Sequence, residues 1–115
     1  MDDVSIYFNP RCSKCRTAQA LLVERGIDVH VVAYLNTAPT VADLRRLMAQ
    51  LGLEDPREMM RTGEDAYGEL GLANRSGDDL LVAMAAHPIL LERPIVVQGD
   101  RAVIARPPER LLELL

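Results

Sequence analysis

The sequence predicts an α/β fold, a mixed four-stranded sheet with a helical insertion, and three observations lead there. Strand-like, helix-like and strand-like runs follow one another within the first 35 residues, the order of a βαβ unit. Residues from about 40 to 87 carry helical patterns only. A hairpin signal and a short helix close the chain, giving the order β-α-β, helices, β-β-α. That order is the one of a thioredoxin-like sheet interrupted by a helical insertion, in one domain over residues 1–115.

The elements follow in turn. Residues 4–8 are a short β-rich run closed by Asn9-Pro10, since proline cannot donate to a sheet ladder. Residues 13–25 read as a helix whose end is marked by Gly26, a residue able to take the left-handed backbone just past a helix. Residues 29–35 are nearly all apolar, which predicts a strand at the centre of a parallel sheet. Thr40 and Asp43 match a capping box ahead of Val41, Leu44, Leu47, Met48 and Leu51 at helical spacing. Pro56 opens a short helix carrying Arg57 and Arg61. Ser76 and Asp79 predict a further cap before Leu80, Leu81 and Met84, and His87-Pro88 ends that helix. Residues 95–97 and 102–105 flank the turn signal Gly99-Asp100. Pro107-Pro108 then opens a final helix with Leu111, Leu112 and Leu115 on one side.

A chain of 115 residues can bury a core without disulfide support, and with three Tyr, one Phe and no Trp that core is aliphatic. The net charge of −4 argues against nucleic acid as a partner, while thirteen Lys and Arg leave material for a local anion site. No run approaches the roughly 20 apolar residues of a membrane span, and no signal-peptide pattern occurs, so no membrane partner and a cytoplasmic location are expected. Two cysteines close together, outside a secretory context, read as redox, metal or catalytic.

Cys12 is the leading candidate for chemistry. It sits where a helix begins, and there unpaired backbone N–H groups and the positive end of the helix dipole favour thiolate over thiol. Arg11, Lys14 and Arg16 are expected to push the same way, and a site among cations after a proline turn is expected to be open to solvent. Cys15 shares the helix face of Ala18 and Leu22, so it is either a core residue or a resolving or redox-active thiol. No metal site is expected from Cys12, Cys15, His30 and His87, whose histidines are far apart; His30 reads as a strand residue facing water and His87 as a helix-end residue. A phosphatase-type loop would need arginine at position 18, which is Ala18, and no glycine-rich nucleotide loop precedes a helix.

Arg93-Pro94, directly before Ile95, is the second constellation. In thioredoxin-like sheets the proline before the third strand is cis and faces the cysteine loop, which would deliver Arg93 beside Cys12. Arg106-Pro107, ending the next strand, would reach the same edge. Forked guanidinium donors suit a tetrahedral oxyanion.

Four segments carry a resemblance to a known family: residues 9–16 around Cys12, residues 34–39, residues 69–72, and residues 87–97 with Arg93 and Pro94. Together they resemble the ArsC family of glutaredoxin-coupled arsenate reductases, in register over residues 4–115. The resemblance implies a thioredoxin-like fold and reduction of arsenate, or a similar oxyanion, with glutathione as co-substrate, glutaredoxin as partner and no tightly bound cofactor or metal. By position Cys12 matches the family's nucleophile, and Arg61, Arg93 and Arg106 match its oxyanion-binding arginines. Two departures accompany the match. Phe8 stands where the reductases carry His, and Cys15 where many carry Ser. The pair Cys12 and Cys15 is similar to that of the Spx branch, redox-sensing regulators that bind RNA polymerase; a general glutathione-dependent thiol reductase is the other alternative.

Overall fold

Strand β1 (Val4–Tyr7) runs through the middle of the sheet, with Val4 and Ile6 buried and Ser5 and Tyr7 only partly so. In the computed structural model, which describes residues 3–115, β1 pairs in parallel with β2 (Val29–Val32) and antiparallel with β3 (Ile95–Gln98). Strand β4 (Arg101–Ile104) adds antiparallel to β3 through the turn at Gly99-Asp100, giving the order β2-β1-β3-β4. The sheet is mixed, four-stranded and thioredoxin-like.

The apolar run 29–35 does not take the central place expected of it. Only Val29–Val32 is strand, it lies at the edge, and His30 and Val31 are exposed. An apolar run records burial of side chains but not which strand lies alongside. Here the second side of β1 goes to β3, a strand from far along the chain.

Helix α1 (Ser13–Glu24) turns Cys15, Ala18 and Leu22 inward at spacings of three and four residues. Its chain reverses at Gly26, whose φ of 72° is the left-handed value expected past a helix end. Ala18 and Leu22 join Val4, Ile6, Val96 and Val103 in an aliphatic core, with Phe8 packed against it. The chain ends in a 3-10 helix, Pro108–Glu113, that packs on α1. Its tighter period buries Leu111 and Leu114, three residues apart, and leaves Leu112 and Leu115 exposed, contrary to the α-helical spacing expected.

Two compact units are distinguished: Met1–Tyr34 with Arg93–Leu115, which holds the sheet, and Leu35–Glu92, which is helical. In the helical unit α2 (Val41–Leu51) begins with the predicted capping box. The Asp43 N–H donates to Thr40 Oγ1 and the Thr40 N–H to Asp43 Oδ2, each at 3.0 Å. Pro56–Met59 is a 3-10 turn capped by Asp55, with a short helix α3 (Asp65–Glu69) after it. Arg57 anchors the following loop, donating to the carbonyls of Leu72, Ala73 and Arg75 and to the Tyr67 hydroxyl. Helix α4 (Asp78–Ala86) packs on α2 through buried Leu80, Leu81 and Met84. Its cap is Gly77 at a φ of 54°, not the Ser76 side chain, which makes no cap bond. Ser76 contributes only its backbone carbonyl, which accepts from the Asp79 N–H.

Candidate active site

The register of β1 against β3 builds the site. Tyr7, the last residue of β1, pairs with Ile95, the first of β3, so the loop leaving β1 and the segment entering β3 share one sheet edge. The loop carries Cys12 and the segment carries Arg93. Both Arg93-Pro94 and Arg106-Pro107 are cis. Ile104 of β4 pairs with Ile95, and the Ala105 N–H donates to the Pro94 carbonyl at 2.9 Å, which brings Arg106 to the same edge.

Asn9 shapes the loop. It is buried; its Oδ1 accepts from the Arg11 N–H at 3.0 Å and its carbonyl from the Cys12 N–H at 2.9 Å. This is an Asx turn, and the Asn9-Pro10 dipeptide is its signal in the sequence. Cys12 therefore arrives as the capping residue of α1 with extended backbone.

Cys12 is 9% exposed, more buried than its surroundings of polar residues suggested. Burial alone would raise its pKa. The Cys15 backbone N–H, the Cys15 thiol and the Arg93 guanidinium outweigh that and hold it below the ordinary thiol value. The lowering groups are thus Cys15 and Arg93 rather than Arg11, Lys14 and Arg16. Those three are exposed, and Arg16 Nη1 donates to the Pro10 carbonyl at 2.7 Å. Distant Arg93 has the larger effect because its Nε and Nη1 are shielded from water, where a charge is least screened.

Cys15 has the opposite fate. It is fully buried, and burial with the neighbouring Cys12 sulfur pushes its pKa up to about 12, against the Asn9 backbone N–H and the charge of Arg93. The loop thus holds side by side one acidic thiol and one that keeps its proton. Phe8 packs on the core, and the acidity of Cys12 comes from the Cys15 N–H and thiol and the Arg93 guanidinium.

Arg106 is partly buried and its Nη1 donates to the Arg93 carbonyl at 2.9 Å. The structure therefore joins Cys12, Cys15, Arg93 and Arg106 within the sheet unit. Arg61 belongs to the helical unit. Its N–H donates to the Leu90 carbonyl at 2.7 Å, beside a bridge between Met60 and Leu91. Its guanidinium pairs with Glu64 at 2.8 Å and Glu92 at 3.5 Å. His30 and His87 are exposed. Among the described residues no cluster of three or more His, Cys, Asp or Glu is placed to hold a metal, and no helix is long and apolar enough to cross a membrane.

Known proteins share this fold and much of this sequence. The sequence pattern of the ArsC family matches residues 7–114. A protein of Neisseria meningitidis named arsenate reductase is 48% identical over the full length of both chains. Escherichia coli YfgD, described as uncharacterized, is 49% identical across 97% of this chain and 96% of its own. The solved structure of an arsenate reductase from Vibrio cholerae superposes with a TM-score of 0.95 at 51% identity, covering 99% of this chain and 98% of that one. The chain belongs to the ArsC family.

Proposed function

We propose that this chain reduces arsenate to arsenite through Cys12, with glutathione as electron donor and glutaredoxin restoring the enzyme. The observation that carries the reading is the Cys12 thiol, held below its ordinary pKa beside the shielded guanidinium of Arg93. Relatives named arsenate reductase, aligned end to end, indicate the substrate.

The Cys12 thiolate attacks As(V), an arsenate oxygen leaves as water after protonation, and a sulfur–arsenic bond forms. An anionic nucleophile and an anionic substrate repel one another, and Arg93 and Arg106 are assigned to offset that charge; Arg61, given the same role by the family resemblance, pairs with Glu64 and Glu92 in the helical unit. Glutathione thiolate then attacks the Cys12 sulfur. The sulfur–arsenic bond breaks with its electron pair left on arsenic, giving arsenite and a Cys12–glutathione disulfide. Glutaredoxin takes the glutathione by thiol–disulfide exchange and frees Cys12. Reductants of this class belong to the cytoplasm.

The test is NADPH consumption coupled through glutathione reductase, with arsenate, glutathione and glutaredoxin. Cys12→Ser should abolish it and Arg93→Ala should lower it at least tenfold. Equal rates in all three proteins would reject the reading. Turnover of a simple dialkyl disulfide but not of arsenate would move the assignment to a general thiol reductase.

A further inference from the structure

Resting on the attack of Cys12 on arsenate proposed above, we infer that Cys15 is a second reacting thiol that takes the place of glutathione in the next step: once Cys12 carries arsenic, Cys15 attacks the Cys12 sulfur, arsenite leaves, and glutathione acts only afterwards, on the disulfide. Cys12 caps α1 and Cys15 lies one turn in, so both side chains stand over the same helix start. Side chains three apart on a helix have Cβ atoms about 5–6 Å apart. A disulfide needs roughly 3.5–4.5 Å; Cys12 is the extended capping residue rather than a helical one, and the Cys15 thiol is close enough to hydrogen-bond the Cys12 sulfur.

Burial makes the pairing selective. Cys15 is wholly enclosed, so glutathione or a protein thiol in solution meets Cys12 and not Cys15. Its one accessible reaction partner is its neighbour. A thiol already held against the reacting sulfur avoids the entropy cost that a diffusing one meets. Of the groups around Cys15, the Asn9 N–H and Arg93 favour its thiolate, against its burial and the neighbouring Cys12 sulfur.

The step balances. Cys15 gives up its proton to the departing arsenic oxyanion, a sulfur–sulfur bond forms, and the sulfur–arsenic bond breaks with its electron pair on arsenic. Arsenate and two thiols become arsenite, one disulfide and one water. A dithiol or glutathione-class reductant afterwards reopens the Cys12–Cys15 bond.

The experiment is a single turnover. Pre-reduced protein, freed of small thiols, is mixed with excess arsenate; arsenite is counted and the protein is weighed by mass spectrometry and mapped. The expected result is about one arsenite per chain with both thiols lost to a Cys12–Cys15 disulfide, and none from Cys15→Ser or Cys12→Ser. Arsenite formed by wild type only when glutathione is added would overturn the inference and leave the proposed function standing. No arsenite under either condition would overturn both. Because wild type alone gives these outcomes, the result does not depend on how the variants fold.

Discussion

Arg106 holds Arg93 by its backbone: Nη1 of Arg106 donates to the carbonyl oxygen of Arg93 at 2.9 Å. That carbonyl belongs to the residue whose own guanidinium favours the Cys12 thiolate. One arginine thus fixes the position of another, and a charge-assisted bond of this kind contributes about 1.5–3 kcal/mol. Arg106→Ala is expected to raise the Cys12 pKa even in the absence of substrate, with Arg106→Lys intermediate. The rate of iodoacetamide alkylation against pH reads this directly. An unmoved profile in Arg106→Ala would leave Arg106 with a role toward substrate only.

Arg93→Ala should move the same alkylation profile further. It removes the guanidinium that lowers the Cys12 pKa, leaving burial opposed only by Cys15. Alkylation near pH 7 is then expected to slow several-fold, while the rates of the two proteins converge above the pKa of each thiol.

Stability should depend on pH through Cys15. Its folded pKa of about 12 lies above that of a free thiol, about 8.5. Between those values the unfolded chain releases a proton that the folded chain keeps, so ν_U is below ν_N and stability falls as pH rises. The loss approaches tenfold in the folding equilibrium per pH unit. Cys12 has the reverse sign: its folded pKa is lowered, and its contribution is gained as pH rises from there to about 8.5 and is constant above. Urea unfolding from pH 8.5 to 10 should therefore weaken wild type more than Cys15→Ser.

The closing 3-10 helix offers a packing test. Leu111 is 0% exposed and Leu112 is 39% exposed. Leu111→Ala should cost about 2–5 kcal/mol and Leu112→Ala less than about 0.5 kcal/mol. Equal losses in thermal denaturation would contradict the 3-10 register.

In the helical unit, Thr40→Ala removes one half of the reciprocal cap on α2. A loss of about 1 kcal/mol is expected. The backbone N–H at position 40, the larger of the groups holding the Asp43 carboxyl below its usual pKa, is kept in alanine, while the hydroxyl contribution is lost, so NMR titration should show a small upward move.

Much of this was readable from residues alone, because it rests on local rules. The Thr40–Asp43 cap, the Gly26 helix end and the Gly99-Asp100 hairpin each depend on neighbours within a few positions. So does Cys12 at the start of α1. What escaped depends on long-range pairing. The apolar 29–32 segment gives no sign that its outer side is left open, and Leu112 gives none that the last helix winds in threes. The source of positive charge at Cys12 is hidden in the sequence for the same reason. Arg11, Lys14 and Arg16 are near in sequence, while Arg93 is near in space because Tyr7 faces Ile95.

That pairing of Tyr7 with Ile95 also divides the acidity of the sulfur into two parts. The share owed to Cys15 needs only the first turn of α1, whereas the share owed to Arg93 arrives when β3 docks on β1. Full acidity of this single side chain therefore reports a closed sheet.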